Sequence, residues 1–502
     1  MKQVVIIGAG VAGLTAGIYA LRSGFKAMIL EAHSGPGGFC TSWRRGGYLF
    51  EGGMHWLTGS SPKTPLHRIW KETGALNETV PVYVKDPFLS VESGGETACF
   101  YRDSEKLKEH FLSISPEDKK EILSLYRDIK RFSVTTVPVM DPRGLKLAHK
   151  RPFPLALLLG MLPALLRMPR LNRMTAAEYA ARFRHQGIRL LLENVVEQSY
   201  NVGSLLFTLG CFASGDGGYP EGGSLNMARR MAGRFESLGG TIRYNCKAEK
   251  IRLADAAGRR GSLKTAEGVY AGREFIPADA VIVSADTLAA IDRLFDPALH
   301  EPWMETMRRC TRPLINTFIS LGVKADLSHL PENLYFNLKR PFTYAGFTVA
   351  SLGFNNYASY KGYAPSGCSA LTVSITADTY DYWQAASKAG EYRQRKEELA
   401  EIIIDRLAEE VPQIRDRVEV RDVATPLTYE RYCGAYRGSW MTFMGKNEPM
   451  RSYPCKPRSI SNLYFAGQRM LAPGGLPVAV LTGRQAVQRL CRDTGTVFEG
   501  AD

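Results

Sequence analysis

Residue types suited to cofactor chemistry gather at both ends of this 502-residue chain, and glycine dominates them. The first group is Gly8-Ala9-Gly10-Val11-Ala12-Gly13, which follows the apolar run Val4–Ile7 and opens into a helix-like stretch from Leu14 to Leu21. Gly8 suits a tight turn, Gly10 lets backbone approach a pyrophosphate, and Gly13 lets the helix pack closely on the strand. The free N–H groups and positive dipole end of the helix would then face phosphate. A second apolar run, Ala27 to Leu30, ends in Glu31, placed to accept a hydrogen bond from a ribose hydroxyl. The same carboxylate would repel a ribose phosphate, which disfavours NADP. Strand, turn, helix and terminal acid together predict a dinucleotide-binding unit.

A second glycine-rich stretch runs from His33 to Trp56 through Gly37-Gly38 and Gly52-Gly53-Met54-His55. Glycine at this density, with aromatic residues between, predicts backbone wrapped around a ligand. A third group, Tyr219 to Ser224, leads into an amphipathic helix from Leu225 to Leu238 that stops at Gly239-Gly240. The fourth runs from Phe465-Ala466-Gly467-Gln468 through Pro473-Gly474-Gly475-Leu476-Pro477 into a helix from about Val478 to Cys491. No Ser/His/Asp constellation is legible. His55, beside the glycine pair, is the one titratable residue singled out, for substrate orientation or proton delivery, against a hydrogen-bonded structural role. Glu221 reads as a capping residue. Tyr429, Tyr432, Trp440 and Phe443 either line a substrate tunnel or pack a sheet.

The elements that must position these groups follow from pattern. Helical periods are expected at Pro116 to Phe132, Thr175 to Val202 and Tyr392 to Glu410. Strands are expected at Thr241 to Cys246, Ala248 to Leu253, Phe275 to Ala285, Thr317 to Val323, Phe342 to Val349 and Ala370 to Thr376. A chain this long exceeds one compact core. Its 45% hydrophobic and 23% charged content is that of a globular protein. Nine scattered cysteines, never in a Cys-x-x-Cys spacing, suggest neither a metal site nor a disulfide framework and favour a reducing compartment. With the first strand starting near residue 3, no signal or transit peptide is expected.

The net charge of +14 asks for a partner. No basic run with interleaved aromatics supports nucleic acid. Part of the charge, Lys146, Lys150, Arg151, Arg167, Arg170 and Arg173, flanks an apolar segment at 152–166 that is too short and proline-broken to span a bilayer. Two readings stand: a buried substrate-domain segment, or an apolar surface dipping into anionic lipid headgroups.

The four glycine blocks together resemble the phytoene desaturase, carotenoid isomerase and retinol saturase group of FAD-dependent flavoproteins, within the amine-oxidase-like superfamily. The resemblance implies an α/β architecture: a Rossmann-like FAD-binding domain, discontinuous in sequence, with an inserted mixed α+β substrate domain. The boundaries expected are 1–75, 220–300 and 455–502 for the former, and 76–219 and 301–454 for the latter. It implies non-covalent FAD held by Gly8, Gly10, Ala12, Gly13, Glu31, Ala32, Gly37, Gly38, Thr41, Gly53, Met54, Ala248, Gly467, Gln468, Gly475, Leu476 and Pro477. Within that set the pyrophosphate would lie on Gly10 to Gly13, the adenine near Ala248, and the isoalloxazine pyrimidine edge near Gly475-Leu476-Pro477. Phe39 stands where the family often has Arg, so a phosphate contact falls to Arg44 or Arg45 if any residue supplies it. Gln468 replaces a usual acid, and the pattern is relaxed at Glu51 and Gly53.

The activity implied is hydride transfer between flavin N5 and a carbon of an apolar polyene such as a carotenoid or retinoid, in desaturation, saturation or isomerisation. Alternatives are an amine substrate, as in the wider superfamily, and a non-enzymatic prenyl-binding protein such as the guanine-nucleotide dissociation inhibitors. The expected setting is cytoplasmic, with 146–173 available to an anionic membrane surface.

Overall fold

A computed structural model describes residues 1–149, 155–255 and 263–500. The opening pattern folds as its spacing requires. Gln3–Ile7 is a strand, buried but for its first residue, and Val11–Arg22 is a helix packed on it. Parallel pairing builds a five-stranded sheet in the order Leu463–Phe465, Ala280–Val283, Gln3–Ile7, Lys26–Leu30, Thr241–Arg243. Its strands come from the start, middle and end of the chain, so the sheet closes only once the whole polypeptide has returned to it. The Gly475–Thr494 helix lies against Val11–Arg22, and a Cβ at Gly483 would sit 2.3 Å from the Ala12 carbonyl oxygen.

A second, seven-stranded sheet stands beside the first, in the order Val418–Ala424, Asn316–Val323, Ser369–Thr376, Phe347–Asn356, Asn333–Tyr344, Leu89–Ser93, Glu96–Phe100. One apolar cluster joins its Leu89–Phe100 edge to the helices Lys119–Phe132, Gln186–Val195 and Val202–Ala213. Another joins its centre to the long Tyr392–Glu410 helix.

Three sequence readings need correction. The period from Thr175 to Val202 is not one helix: Ala176–Ala180 and Gln186–Val195 are separate, and the next helix begins at Val202. Caps at Thr175, His185 and Asn201, each accepting a backbone N–H, mark the three starts. The stretch Phe342 to Val349 straddles a hairpin turn at Ala345-Gly346, both at positive φ. Phe275 to Ala285 divides into Glu274–Pro277 and Ala280–Val283, which belong to different sheets. The Tyr392–Glu410 helix has the expected bounds.

Part of the apolar segment at 152–166 falls within the described residues. Residues 150–154, including Lys150 and Arg151, lie outside the described residues. From Leu155 to Leu165 the chain is helical, yet only Met161 and Ala164 are buried. The buried reading is therefore overturned: most of the leucines face solvent.

Candidate active site

The carboxyl ends of the parallel strands open into a continuous cavity of about 1910 Å³. A site for one small ligand occupies about 300–1,000 Å³, so this space has room for a dinucleotide and a second long molecule. Gly8, Gly10, Ala12, Glu31, Ala32, Gly37, Gly38, Gly53, Met54, His55, Ala248, Gly467, Gln468, Gly475, Leu476 and Pro477 all line it. Gly13 and Thr41 do not.

Gly13 acts one layer behind. A Cβ there would lie 2.0 Å from the Gly8 carbonyl oxygen and 2.5 Å from Ser284 Oγ, so the helix could not seat on the strand. Ser284 Oγ donates to the Ile7 and Gly8 carbonyls at 2.8 and 3.0 Å and locks the turn. Gly10 differs: the nearest atom to an added Cβ is the Gly37 carbonyl oxygen at 3.8 Å. The protein leaves that face open toward the cavity, as a phosphate-approach position requires. Glu31 accepts from the Ala9 and His33 N–H groups at 2.6 and 2.8 Å, which aims its carboxylate across the turn and along the cavity wall. The Gly37 N–H donates to the Ala9 carbonyl at 2.9 Å, joining the two glycine loops.

At the far end, a buried carboxylate noted in the sequence only as a departure from the family's pattern, Glu51, holds the Gly52–His55 segment. Glu51 Oε1 accepts from Gly53 N–H at 3.0 Å and Met54 N–H at 3.3 Å. Its Oε2 accepts from the Tyr219 hydroxyl and, at 3.0 Å, from Ser224 N–H in the first turn of the Gly223–Ser237 helix. The positive end of that helix therefore sits on Glu51. Ser224 Oγ accepts from Met54 N–H at 2.9 Å, and Tyr429 donates to the Gly52 carbonyl at 2.9 Å. Glu221 does not cap the helix; it accepts from Tyr83 at 3.1 Å. The only sequence signal for Glu51 was its place before the glycine pair.

His55 faces the cavity, stacked on Phe318 with ring centroids 6.0 Å apart. Its ring makes no hydrogen bond to the described residues. Burial, reinforced by the positive charge of Lys85, pulls its pKa from 6.5 down to about 4, and the imidazole is neutral near pH 7. Lys85 is itself buried and donates to Asn333 Oδ1 at 3.3 Å, with the rings of Tyr219, Tyr357 and Tyr360 at 5.7–5.8 Å. Burial lowers its pKa from 10.5 to about 8. Asn333 lines the cavity, so this ammonium stands one layer behind the wall.

The departures noted in the sequence have structural counterparts. Phe39 lines the cavity and stacks on Tyr429 at 5.1 Å. Arg44 and Arg45 are exposed and turn elsewhere, to the Gly362 carbonyl and to Asp422, so neither supplies a cation to the cavity. Lys247, Arg293, Arg431 and Arg469 do reach its wall. Arg469 is buried, paired with Asp286 at 3.0 Å, and donates to the Met441 and Ser439 carbonyls. Tyr429, Tyr432 and Trp440 line the cavity, whereas Phe443 packs on Tyr200 at 4.9 Å.

Beyond His55 the lining is mainly apolar, including Trp56, Phe88, Phe132, Leu158, Met161 and Phe207. Among the described residues no cluster of His, Cys, Asp or Glu could hold a metal ion. The donor set and glycine cradle fit a dinucleotide, and Gly53 and Leu476 stand on the wall of the same cavity.

Residues 11–491 match the family described as flavin containing amine oxidoreductase. The chain is 24% identical to an all-trans-retinol 13,14-reductase of Danio rerio, over 94% of this chain and 83% of that protein. It is 23% identical to a chloroplastic prolycopene isomerase of an Oncidium hybrid cultivar, over 98% and 84%. Among solved structures, cyclohexylamine oxidase from Brevibacterium oxydans superposes with a TM-score of 0.58 at 14% identity, covering 98% of this chain and 99% of that one.

Proposed function

Because the chain belongs to the flavin containing amine oxidoreductase family, we propose that it is an FAD-dependent enzyme acting on carbon–carbon bonds of an apolar polyene, a carotenoid or retinoid, by desaturation, saturation or isomerisation. The observation that carries this reading is the continuity of one cavity from the glycine-walled dinucleotide end, past His55, into a chamber whose mainly apolar wall also carries Asn172, Glu193, Asn194, Asn201 and Asn316. The relatives named for retinol reduction and prolycopene isomerisation support the same substrate class.

When bound, FAD supplies hydride exchange at N5 with a substrate carbon. The chain's own contribution is placement and electrostatics. Gly10 and the start of the Val11–Arg22 helix would hold the pyrophosphate, and Glu31 the ribose. Gly475, Leu476 and Pro477 would meet the pyrimidine edge, where the positive end of the Gly475–Thr494 helix stabilises negative charge. Glu51 keeps the Gly53 and Met54 backbone in place beneath it. His55, neutral and free of protein partners among the described residues, orients the polyene and exchanges a proton at its ring nitrogen. Phe88, Phe132 and Phe207 exclude water along the chamber. An ammonium substrate is disfavoured by the buried Lys85 charge behind Asn333. In the same reading, the exposed residues of 146–149 and 155–173 face an anionic membrane.

The test is direct. Denatured protein should release FAD, and the holoenzyme, oxidised and reduced in parallel, should convert members of a panel of all-trans and cis carotenoids and retinoids to products identified by mass. A colourless protein that releases no flavin, or turnover of amines with none of the polyenes, would sink the proposal.

A further inference from the structure

We infer that the Leu155–Leu165 helix is a portal, seated by its outer face in an anionic bilayer and admitting the apolar substrate from the lipid past its inner face into the catalytic cavity. This rests on the polyene reading above and adds the route. The helix has two apolar faces with different neighbours. Leu155, Leu159, Leu162 and the following Leu166 are 57%, 59%, 46% and 73% exposed. Spaced at i, i+4, i+7 and i+11, they form one stripe along the helix. Leu158, Met161 and Ala164 line the cavity that also contains His55 and Leu476, and Leu165 reaches its wall while staying 46% exposed. A single layer of side chains therefore separates the outside from that continuous cavity.

The surroundings select lipid as the occupant of the outer face. From Pro142 to Ala177 the chain has no Asp or Glu and seven Lys or Arg: Arg143, Lys146, Lys150, Arg151, Arg167, Arg170 and Arg173. Arg143, Arg170 and Arg173 are exposed and make no ion pair among the described residues. A leucine stripe flanked in the chain by the exposed cations Arg143, Arg170 and Arg173 matches an interface of anionic headgroups over acyl chains. Eleven helical residues reach only about 16 Å, roughly half a bilayer's hydrocarbon thickness, so the helix lies in one leaflet. An apolar polyene is dissolved in that same layer.

The helix is also weakly built where passage would occur. Pro163 removes a backbone hydrogen bond inside it, and an added Cβ at Gly160 would meet open space. Only Met161 and Ala164 are buried, while Arg167 anchors the C-terminal side through Asp128 at 3.1 Å.

The experiment uses the FAD-loaded full chain and vesicles of phosphatidylcholine and phosphatidylglycerol at about 7:3, with all-trans-retinol dissolved in the bilayer as probe. Flotation measures docking, and energy transfer from protein tryptophan to retinol measures uptake. The wild type should float, and L159E/L162E should lose flotation at least tenfold while keeping its flavin absorbance. The inner-face variant L158F/L165F should float like the wild type yet take up retinol from vesicles at least fivefold more slowly. Equal uptake by L158F/L165F, or uptake from detergent micelles but never from vesicles, would overturn the portal. Absence of wild-type flotation would overturn the membrane seat and the portal with it. No uptake of retinol or of β-carotene from either source would instead overturn the polyene reading.

Discussion

Gly10 and Gly13 stand three positions apart, yet their roles separate cleanly by what surrounds the missing side chain. At Gly13 an added methyl would overlap the Gly8 carbonyl, so Gly13→Ala should disrupt the strand–helix unit and lower the yield of folded protein. At Gly10 the protein itself leaves space. Gly10→Ala should keep the melting temperature of the flavin-free protein within a degree or two while flavin content falls at least tenfold. Absorbance of the purified variant, paired with melting of the stripped protein, checks both. His55 carries a second residue-scale prediction: His55→Asn should retain FAD and lower turnover by roughly 10²-fold, the scale of a lost acid–base contribution. Its titration also has a definite sign. With a folded pKa near 4 against 6.5, the unfolded chain binds the proton first as pH falls. Stability attributable to this group is whole above pH 6.5, declines between 6.5 and 4, and is constant below. The amplitude is at most about 3 kcal/mol. Urea unfolding of wild type and His55→Asn at pH 7 and 4.5 should show a smaller drop in the variant.

At the scale of elements, spacing was most informative where one face of a helix or strand was buried throughout. The Tyr392–Glu410 helix and the Asn316–Val323 strand are of that kind. It was least informative where turn residues interrupt an apolar run. The hairpin at Ala345-Gly346 divides two strands that share aromatic and β-branched composition, so composition alone could not place the turn. Thr175 to Val202 looked continuous because its caps, Thr175, His185 and Asn201, are ordinary polar residues until their side chains are seen accepting backbone N–H groups. The Leu155–Leu165 helix permits an element-scale prediction. Gly160→Ala fits without contact and should stabilise the helix by about 0.5–1 kcal/mol. Hydrogen exchange of its amides should slow accordingly, with flavin binding unchanged.

Across the whole molecule, the segment between the Lys119–Phe132 and Leu155–Leu165 helices is tied to the last helix. Asp141 pairs with buried Arg484 at 2.7 Å and accepts from Gln488 at 2.7 Å, while Ala148 N–H donates to the Phe498 carbonyl. Part of that strap, Thr135 to Pro138 with Met140, lines the cavity. Asp141→Ala leaves the Arg484 guanidinium buried without its carboxylate and should cost about 3–5 kcal/mol. The expected signs are a lower urea midpoint and faster proteolysis between 134 and 149. A change under 1 kcal/mol would show that the strap is held by its other contacts.

The sequence by itself determined the dinucleotide unit, because a glycine turn between a strand and a helix is local: its spacing is dictated by backbone geometry within a few residues. It also carried the glycine residues of the wrap for the same reason. The tertiary structure alone decided what surrounds the reactive end. Glu51 meets Tyr219 and Ser224, His55 meets Phe318 and is acted on by burial and by the Lys85 charge, and Leu158 joins the same cavity as Leu476. These partners lie tens to hundreds of positions apart, and no period in the chain encodes their meeting. It likewise decided the apolar segment near 160, since hydrophobic content is the same for a helix that is buried and one that faces outward. Only the packing around Met161 and Ala164 distinguishes them.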